Sequence, residues 1–276
     1  MKNYFHVFTL TGLLFAAQFV YAESADTPPI IGAIIIDDLG YNTISAKRIA
    51  AMPFPITCAV LPEAPSSAKA AKILSDSGKE LMLHLPMQGR GDQAQERNVL
   101  TIDMDEFEFK QEVRRHLDIL PSIAGLNNHQ GSVLTEAGYP MHWLMEELSL
   151  IDDFYFVDSR TTGSSVASDA AAFYQVPYAV RDIFLDHERS EEFVTQQLAL
   201  FIRTAKRHGR AVAIGHPYRE TLSVLEMALP ELEREGITLV PASQLVQAQM
   251  AHVENNNKLA RQSSQLNTPA NENTVQ

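Results

Sequence analysis

The stretch Ile31-Gly-Ala-Ile-Ile-Ile-Asp37-Asp38-Leu-Gly-Tyr41 constrains the fold more than any other part of the chain. A run rich in β-branched residues ends on two adjacent carboxylates, and a glycine follows. Such a run reads as a strand buried on both faces, as in a parallel sheet covered by helices. Two carboxylates at its end repel each other and resist desolvation unless a cation sits beside them. A metal ion is the simplest cation that fits. Neighbouring side chains on a strand point to opposite faces, so alternation predicts that the two Asp face opposite ways and hold different roles. The plainer alternative is a helix N-cap, which needs one carboxylate and not two.

The two ends of the chain differ from its middle. Met1-Lys2 is a short basic start, the stretch from Phe5 to Val20 is largely apolar, and Val20-Tyr-Ala22 resembles a small-residue cleavage site. This layout predicts a secretory signal peptide over 1–22. The expected destination is the periplasm or the outside of the cell, with no stable membrane insertion after cleavage. From Glu254 onward the chain is rich in Asn, Gln, Ser and Thr, which predicts a disordered polar tail over 254–276. Residues 30–253 show no linker and read as one domain. Cys58 is the one cysteine. It lies in an apolar run and is expected as a small buried hydrophobe without a disulfide. A formal net charge of -12 argues against a nucleic-acid or anionic-membrane partner. It says little about a neutral sugar or peptide substrate.

Strand-like and helix-like segments alternate. Strands are predicted near 32–37, 56–61, 80–85, 124–127, 154–158, 177–180, 210–215 and 238–241, with helical patterns between them. Asp103-Met-Asp-Glu106 resembles a capping box. Ser190-Glu-Glu opens another helix, which Lys206-Arg-His-Gly209 closes with basic residues and a glycine. About eight β/α units without a dinucleotide glycine signature predict a single-domain α/β fold. The expected form is an irregular (β/α) barrel of about seven to eight strands. An open doubly wound sheet is the alternative, and both place function at the carboxyl ends of the strands.

Six predicted units bring an ionisable group to that rim: Asp37-Asp38, His84, His129, Asp158 with Arg160, Arg181-Asp182, and His216. One Asp and two His can form a facial site with open positions, suited to Zn²⁺ in hydrolysis or to Fe²⁺, Mn²⁺ or Co²⁺. The second Asp is then free as a general base, and a further His on the other side could protonate a leaving group. Arg160 or Arg181 could orient the base, and a carboxylate such as Asp182 could tune the acid. Tyr41 and Tyr218 lie beside the motifs, to stack on a sugar ring or pack against the rim.

At these residues the sequence resembles the polysaccharide deacetylases of the NodB-homology class, in their divergent bacterial branch. The pieces are Ile34-Ile-Ile-Asp-Asp-Leu-Gly-Tyr41, Met82-Leu-His-Leu-Pro-Met87, Gly125-Leu-Asn-Asn-His-Gln-Gly-Ser132, Phe156-Val-Asp-Ser-Arg-Thr-Thr162 and Ala213-Ile-Gly-His-Pro-Tyr218. The resemblance implies a distorted (β/α) barrel and a metal-dependent hydrolase that removes N- or O-acetyl groups from an envelope or secreted glycan, with zinc as the expected ion. It implies Asp37 as the base, Asp38 as a metal ligand, His216 as the acid with Asp182 as its partner, and Arg160 near the base. Asp186 rivals Asp182. Typical members carry two metal-binding histidines as His-x-x-x-His, but four residues after His84 stands Gln88. The second imidazole is therefore expected from His129. The same departure motivates an alternative, a glycan- or peptide-binding protein that has lost turnover.

Overall fold

A computed structural model of the chain describes residues 29–91 and 96–266. The expected signal peptide and the end of the expected tail lie outside the described residues. Among these, the strands are β1 Ile30–Leu39, β2 Ile56–Val60, β3 Glu80–Met87, β4 Gly125–Gln130, β5 Tyr155–Asp158, β6 Tyr178–Val180, β7 Ile183–Phe184, β8 Arg210–Gly215 and β9 Ile237–Leu239. Helices α1 Thr43–Ala50, α2 Ser67–Asp76, α3 Glu106–Ile119, α4 Gly138–Leu148, α5 Ala167–Phe173, α6 Glu191–His208 and α7 Arg219–Arg234 connect them. Helix α8 Ala242–Leu266 follows the last strand. The eight expected strands are present, and the two-residue β7 is an addition.

The strands pair in parallel in the order β6-β5-β4-β3-β2-β1-β8-β7, with β9 a side branch on the start of β1. The sheet curls into an open, incomplete barrel, as expected from the alternation of strands and helices. Its seam lies between β6 and β7, which are consecutive in the chain. Arg181 and Asp182 span that seam. The Arg181 backbone N donates to Asp158 O at 3.0 Å, and the Asp182 N donates to Val212 O at 2.9 Å.

Period-two alternation sorts the strand residues into two cores. Ile34 and Ile36 of β1 pack outward with Leu83, Leu85, Leu126 and Phe156 against the surrounding helices. Ala33 and Ile35 face inward with Ala59, Met82, Val157 and Val212. Filling the inner face are Val240 and, from α8, Ala242, Leu245 and Val246. Each fully buried side chain of this size contributes about 1.5–3 kcal/mol.

Hydrogen bonds fix where α8 enters. Ala242 N donates to Thr57 Oγ1 at 2.9 Å, and Ser243 N donates to Glu80 Oε1 at 3.2 Å. The same Glu80 oxygen accepts from Thr57 Oγ1 and Tyr155 OH at 3.0 and 2.9 Å. Thr57, Glu80 and Tyr155 stand at the starts of their strands, so α8 closes the amino end of the barrel and leaves the carboxyl end open.

Helix α8 continues to Leu266, into the stretch expected as a polar tail. Its described side chains beyond Met250 are exposed, so burial does not hold it there. Glu254 and Lys258, one turn apart, pair there at 2.8 Å. Among the described residues, no helix is long and apolar enough to cross a membrane. Cys58 is buried without a disulfide.

Gly125 shows how tightly the sheet is set. It lies opposite Tyr155 on β5, and a Cβ there would sit 2.5 Å from the Tyr155 carbonyl oxygen. Backbone cannot yield as a side chain can, so Gly125→Ala is expected to destabilise the fold by about 1–3 kcal/mol. Thermal unfolding measures this, and an unshifted melting temperature would refute the close approach.

Candidate active site

The end of β1 breaks the alternation that its sequence predicts. Between Ile36 and Leu39 the pairing with β2 advances from Cys58 only to Val60, so β1 holds one extra residue. Asp38 takes up the excess with φ 56°, in the left-handed region that Asp tolerates better than most residues. Ile36 and Leu39 both still pack in the outer core. The two residues between them both line one cavity at the carboxyl end of the barrel. The carboxylates therefore face the same way, contrary to the expectation from alternation. Neither caps α1, whose N-cap is Asn42, with Oδ1 accepting from Ile44 N and Ser45 N.

Register brings the histidines to this mouth. His84 of β3 lies opposite Asn127 of β4, and Pro86 lies opposite His129, two residues further along the same face. Asp38 Oδ1, His84 Nε2 and His129 Nδ1 then form a nearly equilateral triangle: 3.1 Å from Asp38 to His84, 3.0 Å from Asp38 to His129, and 3.1 Å between the rings. Asp38 Oδ1 is buried, and despite these short distances it makes no well-directed hydrogen bond. Ligands about 2.0–2.2 Å from a shared ion stand about 3 Å or slightly more apart. Two imidazole nitrogens and one carboxylate oxygen are also a donor set suited to a divalent ion with open positions. These three residues are a candidate metal-binding triad. Gln88, in the place of the missing histidine, instead accepts from Ile102 N at 2.9 Å and holds a loop.

Electrostatics point to the same demand for a cation. Burial alone would raise the Asp38 carboxyl, but His129 and His84 outweigh it and hold Asp38 far below the usual range. Burial likewise disfavours a charged His84 ring, yet Asp37 and Asp38 push it up to about 9. A positive charge belongs at His84 Nε2, whether a proton or a metal ion supplies it.

Asn127 links this triad to the second carboxylate. It is fully buried. Its Nδ2 donates to Asp37 Oδ1 at 2.8 Å, and its Oδ1 stands 2.7 Å from His84 Nδ1. An ionised Asp37 only accepts, so the Asn127 carbonyl must face His84, and His84 Nδ1 carries hydrogen. Nε2 is thereby left to face the triangle. Sequence reasoning did not single out Asn127 for this role. The signal was its register opposite His84. Burial, reinforced by the nearby Asp38 charge, raises the Asp37 carboxyl although His84, His216 and Asn127 oppose it. That suits a general base.

His216 faces the carboxylates from β8, with Nε2 3.6 Å from Asp38 Oδ2. Its expected partner Asp182 is elsewhere: Asp182 Oδ2 accepts from Val212 N at 2.8 Å, where β7 begins. Asp186 takes the place. Its Oδ1 lies 2.9 Å from His216 Nδ1, and its Oδ2 accepts from His216 N at 2.6 Å and from Thr221 Oγ1 at 2.7 Å. The physical reason is β7, which carries the chain past Asp182 and puts Asp186 at the rim. Burial works against a charged His216, but Asp186 and Asp38 raise it nonetheless. Phe184 meets the His216 ring edge-on, and Tyr218 stacks on it.

Arg160 and Arg181 both line the cavity. Burial lowers the Arg181 pKa, with Asp37 the leading charge that opposes it. Asp158 lies outside the triangle, and its Oδ1 accepts from Arg160 N at 2.7 Å. Tyr41 donates to Glu96 at the half-exposed rim.

Over residues 34–246 the sequence matches the model of a family described as divergent polysaccharide deacetylase. The uncharacterized protein YibQ of Escherichia coli K12 is 36% identical over 214 residues, which make up 78% of this chain and 66% of that protein. The chain thus spans just under two thirds of the length of that relative. An uncharacterized protein of Haemophilus influenzae is 36% identical over 208 residues, 75% of this chain and 74% of that protein. The crystal structure of the uncharacterized protein ATU2773 from Agrobacterium tumefaciens C58 aligns with a TM-score of 0.75 at 19% identity, over 80% of this chain and 91% of that one. At that identity the likeness is one of fold.

Two measurements probe the triad. Asn127→Leu strips the bond that orients His84 and is expected to lower divalent-ion affinity about 10–100-fold, read by competition with a chromophoric chelator. In the unaltered chain His84 keeps its proton up to about 9, so an ion must displace it below that pH. Affinity is expected to climb about tenfold per pH unit between about pH 7 and 9, and a flat profile would show that His84 gives up no proton.

Proposed function

The chain belongs to the divergent polysaccharide deacetylase family, and from that premise we propose that it is a metal-dependent hydrolase removing acetyl groups from an envelope or secreted polysaccharide. The observation that carries this reading is the triad Asp38, His84 and His129 with Asp37 on one side and His216 on the other. The family's usual second histidine is absent from its expected place, but His129 supplies an imidazole from the next strand. That completeness favours turnover over a binding role alone.

A divalent ion in the triad, zinc in this reading, supplies Lewis acidity toward water and the acyl carbonyl. The protein does the rest. Asp37, buried and held by Asn127, takes a proton from the attacking water. The carbon–nitrogen or carbon–oxygen bond of the acetyl group breaks. His216, fixed through Nδ1 by Asp186, delivers a proton from Nε2 to the leaving amine or alcohol. The products are acetate and the free sugar group. Export is part of the proposal and rests on the basic and apolar start of residues 1–22.

Acetate release from N-acetylglucosamine oligomers and peptidoglycan fragments tests the reading. Chelation is expected to abolish it, and Asp37→Asn to lower kcat about 10²–10⁴-fold, the usual contribution of a positioned base. Full activity after chelation, or unchanged turnover in Asp37→Asn, would overturn it.

A further inference from the structure

The cavity has two walls of opposite character. Its volume is about 570 Å³. The carboxylates lining it are Asp37 and Asp38, both at the base beside the histidines. The outer wall carries Arg160, Arg181 and His187, and Arg189 stands close by over the face of Tyr218 at 3.8 Å. Three arginines gathered here are unexpected in a chain with 34 acidic and 22 basic residues.

None of these arginines is neutralised by an ion pair among the described residues. Elsewhere Arg48, Arg114 and Arg115 are each bonded to glutamates. Arg181 instead donates from Nε to Ser159 O at 2.6 Å and from Nη2 to Arg160 O at 2.9 Å, and lies 4.8 Å over the Phe184 ring. Arg189 donates to Tyr218 OH at 2.7 Å. Among the described residues, the exposed Arg160 side chain makes no hydrogen bond or ion pair. Burial and the neighbouring Arg160 both work against the charge on Arg181, while Asp37 favours it. A divalent ion would balance Asp37 and Asp38, which leaves the outer guanidiniums free to serve something else.

Their setting is also built. Arg160 adopts φ 52°, as does Gln130 nearby with φ 53°, a left-handed backbone uncommon for such residues and found at ligand sites. Asp158 holds its N–H, Arg181 holds its carbonyl, and Thr161 Oγ1 donates to Gln130 O at 2.9 Å. The loop is thus tied on both sides, and the guanidinium projects from it into the cavity wall.

We propose that this wall is an anion subsite, and that the substrate is an acidic glycan with a carboxylate close to the acetylated sugar, received by Arg160 and Arg181. The inference rests on the hydrolase reading for the acetyl group but not for the binding itself. A carboxylate fits because a guanidinium meets it with two parallel hydrogen bonds.

The test compares N-acetylglucosamine oligomers with the same oligomers oxidised at C6 to carboxylates. Calorimetry on the zinc-loaded Asp37→Asn protein reads binding without turnover. The oxidised oligomer is expected to bind about tenfold tighter, an advantage that shrinks with salt and falls to about unity in an added Arg160→Gln change. Arg160→Lys is expected to recover part of it, which separates lost charge from misfolding. Equal affinity for the two oligomers, no binding of the oxidised one, or an advantage that survives Arg160→Gln would overturn the subsite. Acetate release by the unaltered protein is scored separately. Release at equal kcat/KM from both oligomers sinks the subsite and keeps the hydrolase. A binding preference without release keeps the subsite and sinks the hydrolase.

Discussion

One inserted residue at the end of β1 governs the geometry of the mouth. A regular strand would send Asp37 and Asp38 to opposite faces, one into the barrel and one among the outer helices. An ionised carboxylate in that outer core would be very unfavourable. The left-handed turn at Asp38 lets Ile36 and Leu39 keep the outer core continuous while both acids enter the cavity. Two like charges side by side then create a demand for positive charge, which His84, His129 and His216 surround. The strain is small for Asp, and the benefit is a pair of carboxylates with unequal surroundings.

That inequality separates their roles. Asp38 is the more exposed and sits against two ring nitrogens, so it stays ionised and can hold an ion. Asp37 is buried, and its strongest fixed bond is to the Asn127 amide. Because Asn127 also fixes His84, a single uncharged side chain orients both the candidate base and a candidate ligand. An amide does this without adding a third charge to a crowded, poorly solvated site. Substituting a carboxylate there would place three acids around one imidazole.

Much of this was legible in the residues. Long apolar runs located the strands, because burial on both faces leaves a continuous signal. His84 and His129 were legible because each follows or interrupts such a run. What escaped was whatever depends on local exceptions. Alternation put Asp37 and Asp38 on opposite faces, and only the pairing with β2 reveals the extra residue. The strand β7 has two residues, too few to show any period, so Asp182 was read as a strand end and Asp186 as its rival. Helix α8 past residue 254 has no apolar stripe to announce it. Asn127 carries no charge and no motif, and its role exists only through the register that sets it beside His84.

The change of histidine source has a mechanical consequence. When two ligands stand one turn apart on a single helix, their spacing belongs to that element alone. Here the triad draws on β1, β3 and β4, so its dimensions are set by sheet register and strand separation. The intervening β2 presents the small Ala59 on the inner face. A centre built this way is as rigid as the sheet itself, and substitutions that disturb pairing reach it from a distance. Above it is the wall formed at and after the ends of β4, β5 and β7, where Gln130, Arg160 and His187 stand. In the proposed reading, reaction and recognition fall to different structural layers: sheet register positions the candidate catalytic groups, and the loops above form the wall proposed to receive the substrate.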